Sequence, residues 1–165
     1  MPEQVVIDGL EFARSGNHLS GQFEIGSLER LGDSLHSAEG AVEYSIQGGQ
    51  NPKGRPMLHL TVKGRLSLAC QRCLGALEFP LDIRSDLLLL QDQLEYADIV
   101  DDGDESVDAI VANTRMNVAA LVEDEIILAL PYAPRHPEGQ CRAGRAGTEG
   151  AARETPFAAL ARLKK

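Results

Sequence analysis

Hydrophobic and polar residues alternate most regularly in the middle of the chain. Leu58, Leu60, Val62, Leu66, Leu68 and Cys70 fall on even positions, while His59, Thr61, Lys63, Arg65 and Ser67 take the odd ones. Alternation with period two predicts an extended strand with one buried and one solvated face. Gly64 predicts a bend or bulge within it. The pattern resumes as Leu77, Phe79, Leu81 and Ile83 against Glu78, Pro80, Asp82 and Arg84, a second half-buried strand. Pro80 cannot donate to a ladder, which predicts an edge position. The segment between the runs, Cys70-Gln71-Arg72-Cys73-Leu74-Gly75, is then the turn of an antiparallel hairpin.

Shorter apolar runs at Val5-Val6-Ile7 and Val42-Glu43-Tyr44-Ser45-Ile46 predict further strands, and Gly48 to Gly54 predicts the turn leading into the hairpin. That turn is not a phosphate-binding loop, because its Lys53 is followed by Gly54 and not by Ser or Thr. Ser27 to Leu31 predicts the start of a short helix. Asn117 predicts the cap of a helix over Val118 to Leu130 that ends before Pro131 and buries Val118, Leu121, Val122, Ile126 and Ala129. Glu123, Asp124 and Glu125 each advance by about 100° around that helix, so at least one of them borders the core. The expected partners are Arg115 or a strand arginine, in preference to a catalytic carboxylate cluster.

Pro131, Pro134, Pro137 and four glycines make residues 131–154 a loop, mobile unless a metal or a partner fixes it. Thr155-Pro156 predicts a short basic C-terminal helix to Lys165, too short to be stable without docking. The fold class expected is therefore α+β, an antiparallel sheet core with a Cys-x2-Cys hairpin tip, a helix near 117–130 and a short terminal helix. The predicted division is one domain over 1–130, the loop over 131–154, and the helix over 155–165.

Composition adds limits. A chain of 165 residues can bury a core without disulfides. Its longest apolar runs, Leu87 to Leu90 and Ile126 to Leu130, fall far short of the roughly 18–20 residues that span a bilayer. Met1 to Asp8 has neither a basic start nor the apolar core of a signal peptide, so a cytoplasmic location is expected. A net charge of −9 without tryptophan argues against a nonspecific nucleic-acid coat. The charge is uneven, however: residues 82–108 carry −9 and residues 131–165 carry +4. The densest acidic part, Asp98 to Asp108, is predicted as an exposed loop, and it lacks the ligand spacing of a calcium-binding hand.

Two thiols in a C-x2-C turn can converge on one tetrahedral metal ion, leaving two positions to fill. Cys141 and His136 are available, so Cys70, Cys73, His136 and Cys141 form a possible site of three thiolates and one imidazole for one structural zinc ion. Two other readings stand beside it: three free thiols with a loop histidine, and a redox pair. Redox C-x-x-C motifs normally open a helix after a strand, which a hairpin tip does not provide. No other cofactor is indicated, and no Ser/His/Asp or Cys/His arrangement has catalytic spacing.

Three stretches then act together: Leu68 to Leu74 around the cysteines, Leu121 to Pro131, and Pro156-Phe157-Ala158-Ala159-Leu160-Ala161-Arg162-Leu163-Lys164. In order and spacing the chain resembles the YceD family, the large ribosomal RNA subunit accumulation proteins of bacteria and plant organelles. The resemblance implies a non-enzymatic cytoplasmic factor for accumulation or processing of large-subunit (23S) ribosomal RNA, a family often encoded beside a large-subunit ribosomal protein. Other branches carry additional cysteines near His136 and Cys141, which adds to the zinc reading.

Two mechanisms follow. In the first, the protein faces ribosomal RNA precursor through Lys63, Arg65, Arg72, Arg142 and Arg145, with His59, Arg135, Arg162, Lys164 and Lys165 nearby in strand or tail. Few aromatics make shape and backbone recognition the expected mode. In the second, it is an acidic zinc-stabilised adaptor in which Asp101, Asp102, Asp104 and Glu105 hold large-subunit ribosomal proteins or processing factors without RNA contact. Neither involves a membrane or a small-molecule substrate. A thiol oxidoreductase or a nuclease built on Glu123-Asp124-Glu125 is a distant third.

Overall fold

The alternation of the central segment is realised as one long hairpin. The structure, a computed structural model, describes residues 5–97 and 108–141. In chain order these form β1 (Val6–Ile7), α1 (Gly9–Arg14), β2 (His18–Glu24), two 3-10 turns (Ile25–Ser27 and Glu29–Ser34), β3 (Leu35–Ser37), β4 (Ala41–Gln50), β5 (Pro56–Ala69), β6 (Ala76–Leu90), β7 (Asp108–Val111), β8 (Met116–Asn117) and α2 (Val118–Ala129). β5 and β6 pair antiparallel from Met57 opposite Leu88 to Ala69 opposite Ala76. Leu58, Leu60, Val62, Leu66 and Leu68 are buried, while His59, Lys63 and Arg65 face solvent. Each such buried side chain contributes on the order of 1.5–3 kcal/mol.

The sheet order is β2-β4-β5-β6-β7, with β3 also pairing β5. All pairs are antiparallel except β6 and β7, which run parallel, so the architecture is α+β with an antiparallel-dominated sheet. Gly64 is not a bulge: it lies in regular register opposite both Val42 and Leu81. A Cβ there would stand 3.0 Å from Val42 Cγ1, so the glycine makes room where the edge of β5 passes from β4 to β3. Pro80 lies in the part of β6 that has no second neighbouring strand among the described residues.

The turn before β5 also differs from expectation. β4 continues through Gly48 and Gly49 to Gln50, and the chain reverses over Asn51 to Arg55. There the Asn51 side chain accepts from the amides of Lys53 and Arg55, and Gly54 takes a positive φ of 78°. Gly48 serves packing instead: a Cβ would meet the carbonyl oxygen of Phe12 at 2.3 Å. Helix α1 rests on β4 at this point, started by Asp8, whose carboxylate accepts from the Glu11 amide. Phe12 and Ala13 complete that contact in the core.

Asn117 caps α2 by accepting from the amides of Ala119 and Ala120. Val118, Leu121, Val122 and Ile126 are buried as expected, but Ala129 is exposed, because in the last turn Ile127 and Leu130 are the residues packed against the core while Leu128 and Ala129 face away. Glu123 and Glu125 are the two buried charged residues among those described. The Glu123 carboxylate accepts from the amides of Arg30 (2.6 Å) and Leu31 (3.2 Å), capping the second 3-10 turn. Asp124 pairs with the Arg30 guanidinium, and the Ser85 hydroxyl donates to Glu125. The acidic triplet thus ties α2 to the 29–34 turn and to β6 through Arg30 and Ser85, not through Arg115 or a strand arginine. No described helix is long and apolar enough to cross a membrane.

Candidate metal centre

At the hairpin tip the chain leaves β5 at Ala69 and returns at Ala76. The Cys70 amide donates to the Gly75 carbonyl and the Leu74 amide to the Cys70 carbonyl, so the six-residue turn closes on itself. Leu74 is the one described non-glycine residue with positive φ, at 57°. This left-handed residue bends the chain after Cys73, which lets both thiols face the same way.

The segment after α2 returns to this tip. Pro134 accepts at its carbonyl from the Gln71 amide at 2.8 Å, and the ring Nε2 of His136 meets the Ala76 carbonyl at 2.9 Å. A carbonyl only accepts, so Nε2 carries the hydrogen and a neutral ring keeps its lone pair on Nδ1. That nitrogen points at the thiols: Nδ1 lies 3.4 Å from Cys73 Sγ and 3.8 Å from Cys141 Sγ. Cys70 and Cys141 are 3.8 Å apart at sulfur, and none of the cysteines is in a disulfide.

The ligand atoms of Cys70, Cys73, His136 and Cys141 all lie within 4.8 Å of one another. A tetrahedral ion with metal–sulfur bonds of about 2.3 Å and a metal–nitrogen bond of about 2.0 Å requires edges of about 3.8 Å between sulfurs and about 3.5 Å between sulfur and nitrogen. The three contacts above match those edges. The carbonyl behind His136 supplies the outer hydrogen bond that metal-binding histidines use to fix their tautomer. The four residues can hold one metal ion.

The electrostatics differ between the thiols. Burial pushes the Cys70 thiol up, but the amides of Cys73, Arg72 and His136 and the Cys73 thiol outweigh it and hold Cys70 at about 5. Cys141 is pushed up by burial, by hydrogen bonding with Cys70 and Cys73, and by their negative charge. A bound cation relieves that repulsion, since its charge is then the largest in the site.

The other sequence-predicted residues fall elsewhere. Lys63 and Arg65 lie exposed on the outward face of β5, and Arg72 is exposed at the tip. Arg142 and Arg145, the acids Asp101, Asp102, Asp104 and Glu105, and the predicted helix over 155–165 lie outside the described residues. Two features carried no expectation: Leu74 is 73% exposed, and Tyr132 is fully exposed. The signal for Tyr132 was its position as the sole aromatic among Pro131, Pro134 and Pro137. A groove of about 920 Å³ between β7 and α2, lined in part by Tyr96, Val111, Met116, Leu121 and Leu128, was also not foreseen.

Comparison with known proteins adds a family. A profile of the family described as large ribosomal RNA subunit accumulation protein YceD matches residues 58–164. A relative from Haemophilus influenzae, named large ribosomal RNA subunit accumulation protein YceD, is 26% identical over 170 residues, covering 98% of this chain and 95% of its own length. No solved structure matches.

Proposed function

The chain belongs to the YceD family, and from that membership we propose that it is a non-enzymatic cytoplasmic factor required for the accumulation or processing of 23S ribosomal RNA. In this reading one structural zinc ion joins Cys70, Cys73, His136 and Cys141. Zinc suits a closed set of three thiolates and one imidazole, with no position left for a reacting water. The ion would hold the 131–141 segment on the hairpin tip, 63 residues apart in sequence at Cys73 and His136. The chain then divides into an α+β domain through residue 130, a metal-tethered loop over 131–154, and a short basic helix over 155–165.

The observation that carries the metal part is the convergence of four ligand atoms from two distant segments. The proposed partner is ribosomal RNA precursor, met by Lys63, Arg65 and Arg72 with Arg142 and Arg145 of the tail. Removal of the gene from its host is expected to lower large-subunit ribosomal RNA relative to small-subunit RNA. Complementation with Lys63→Glu/Arg65→Glu is expected to fail while the folded protein persists. Unchanged RNA levels after removal of the gene would overturn the functional reading.

One observation favours the alternative adaptor. The groove between β7 and α2 exposes Leu128 and Val111 beside Asp108, where the acidic run of the sequence ends. In that reading Asp101, Asp102, Asp104 and Glu105 attract a basic ribosomal protein or processing factor.

A further inference from the structure

The metal-knit tip presents side chains that neither metal binding nor folding requires. Leu74 is 73% exposed and sits in a left-handed conformation, which disfavours a branched apolar residue twice over. Glycine would meet the backbone demand at no steric cost. Tyr132 exposes its whole ring, between prolines at 131 and 134 whose fixed φ restricts its return toward the core. The Pro134 carbonyl is bonded to the Gln71 amide, so Tyr132 lies two residues along the chain from the point where its segment is fastened to the turn that carries Arg72 and Leu74.

Charge points the same way. Residues 70–75 and 131–141 together hold Arg72 and Arg135 against one acid, Glu138. Both arginines are exposed, and neither forms an ion pair among the described residues. An exposed aromatic ring, an exposed leucine and two guanidiniums without an ion pair among the described residues, carried on two hydrogen-bonded segments, match the chemistry of unpaired RNA. Bases stack on the ring while the guanidiniums meet phosphates. A basic protein partner would be repelled by those cations.

We infer that the metal-knit tip is a single-stranded RNA binding site in which Tyr132 stacks on a base, Leu74 borders it, and Arg72 and Arg135 neutralise backbone phosphates. The inference rests on the RNA-facing reading above, keeps its backbone contacts and replaces the expected recognition of folded RNA by shape with contact to unpaired bases. Zinc would act here as a positioning element, holding the two segments at fixed separation.

The test is titration of the full-length, zinc-loaded protein with a 5′-labelled oligouridine of about a dozen nucleotides and with a duplex RNA of the same length. The single strand is expected to bind more tightly. Tyr132→Ala is expected to weaken it about ten-fold, as loss of one stacked base, with Tyr132→Phe retaining affinity. Leu74→Gly should keep or raise the melting temperature and zinc content while weakening oligouridine binding, a pattern that a structural role would not produce. Arg72→Glu/Arg135→Glu should reduce both the affinity and its salt dependence. If the parent binds RNA but Tyr132→Ala binds equally well, this inference fails and the RNA-facing reading survives. If the parent binds neither RNA, both fail. A photo-reactive residue at 132 that crosslinks protein and no RNA in cells would also overturn the inference.

Discussion

Cys73 and His136 meet at 3.4 Å while the Ala76 carbonyl accepts from the far side of the imidazole. A site that uses Nδ1 of a ring donating at Nε2 would tolerate some changes and not others. Cys73→Ser is expected to abolish stoichiometric zinc in protein purified without chelator, whereas His136→Cys should retain it as a site of four thiolates. Zinc measured by elemental analysis on both variants checks this, and a parent with no zinc would end the metal reading. Acid should release the ion as well. Cys70 is held at about 5, below the ordinary range of a thiol, so its thiolate contributes stability that is complete above that range and is lost as pH falls toward about 5. A chromogenic chelator should therefore detect little free zinc near neutrality and progressive release on acidification. In α2, Glu123 satisfies two amides of the 29–34 turn from a buried position. Glu123→Ala is expected to cost about 1–3 kcal/mol in denaturant unfolding by leaving those donors without a partner.

Among the elements, legibility followed locality. The β5–β6 hairpin and α2 announce themselves because each satisfies one period over many residues, and Asn117 marks its helix by a local bond. β2 is harder to read: Leu19, Gly21 and Phe23 alternate, but the middle position lacks a side chain, and Tyr44 fills the space opposite it. Leu87 to Leu90 break period two because both sheet faces are covered there. Leu87 and Leu89 join the main core, while Leu88 and Leu90 pack with Met57 on the other side. The parallel partner β7 lies beyond an acidic run, a pairing no local pattern encodes. Gly48 reads as a turn glycine until α1 is placed, since the constraint comes from Phe12, 36 positions earlier. Gly48→Ala is accordingly expected to destabilise the protein by about 1–3 kcal/mol through overpacking, measurable by denaturant unfolding. The four candidate ligands are legible as residue types, yet their convergence goes with the Gln71–Pro134 and His136–Ala76 bonds, which spacing does not reveal.

At the scale of the whole molecule, the charge of −9 conceals a separation. Residues 82–108 carry all of it as a net sum, and the C-terminal 35 residues are positive. Four of the ten described lysines and arginines, Lys63, Arg65, Arg72 and Arg135, lie along the outward face of β5 and at the hairpin tip, whereas Asp108 starts β7 at the opposite end of the β6 pairing from Ala76. An RNA-binding tip and an adaptor built on the acidic run would use different ends of the hairpin, and their binding should respond differently to one deletion. Removing residues 98–107 takes away five acids without touching a described strand, helix or metal ligand. For an RNA-binding tip, this deletion lowers long-range repulsion and should leave oligouridine affinity equal or higher, most visibly at low salt, where the Debye length is roughly 30 Å in 0.01 M electrolyte. For an adaptor built on the acidic run, the same deletion should abolish capture of basic large-subunit proteins. Titrations of both ligands at two salt concentrations read out which end of the hairpin carries the binding.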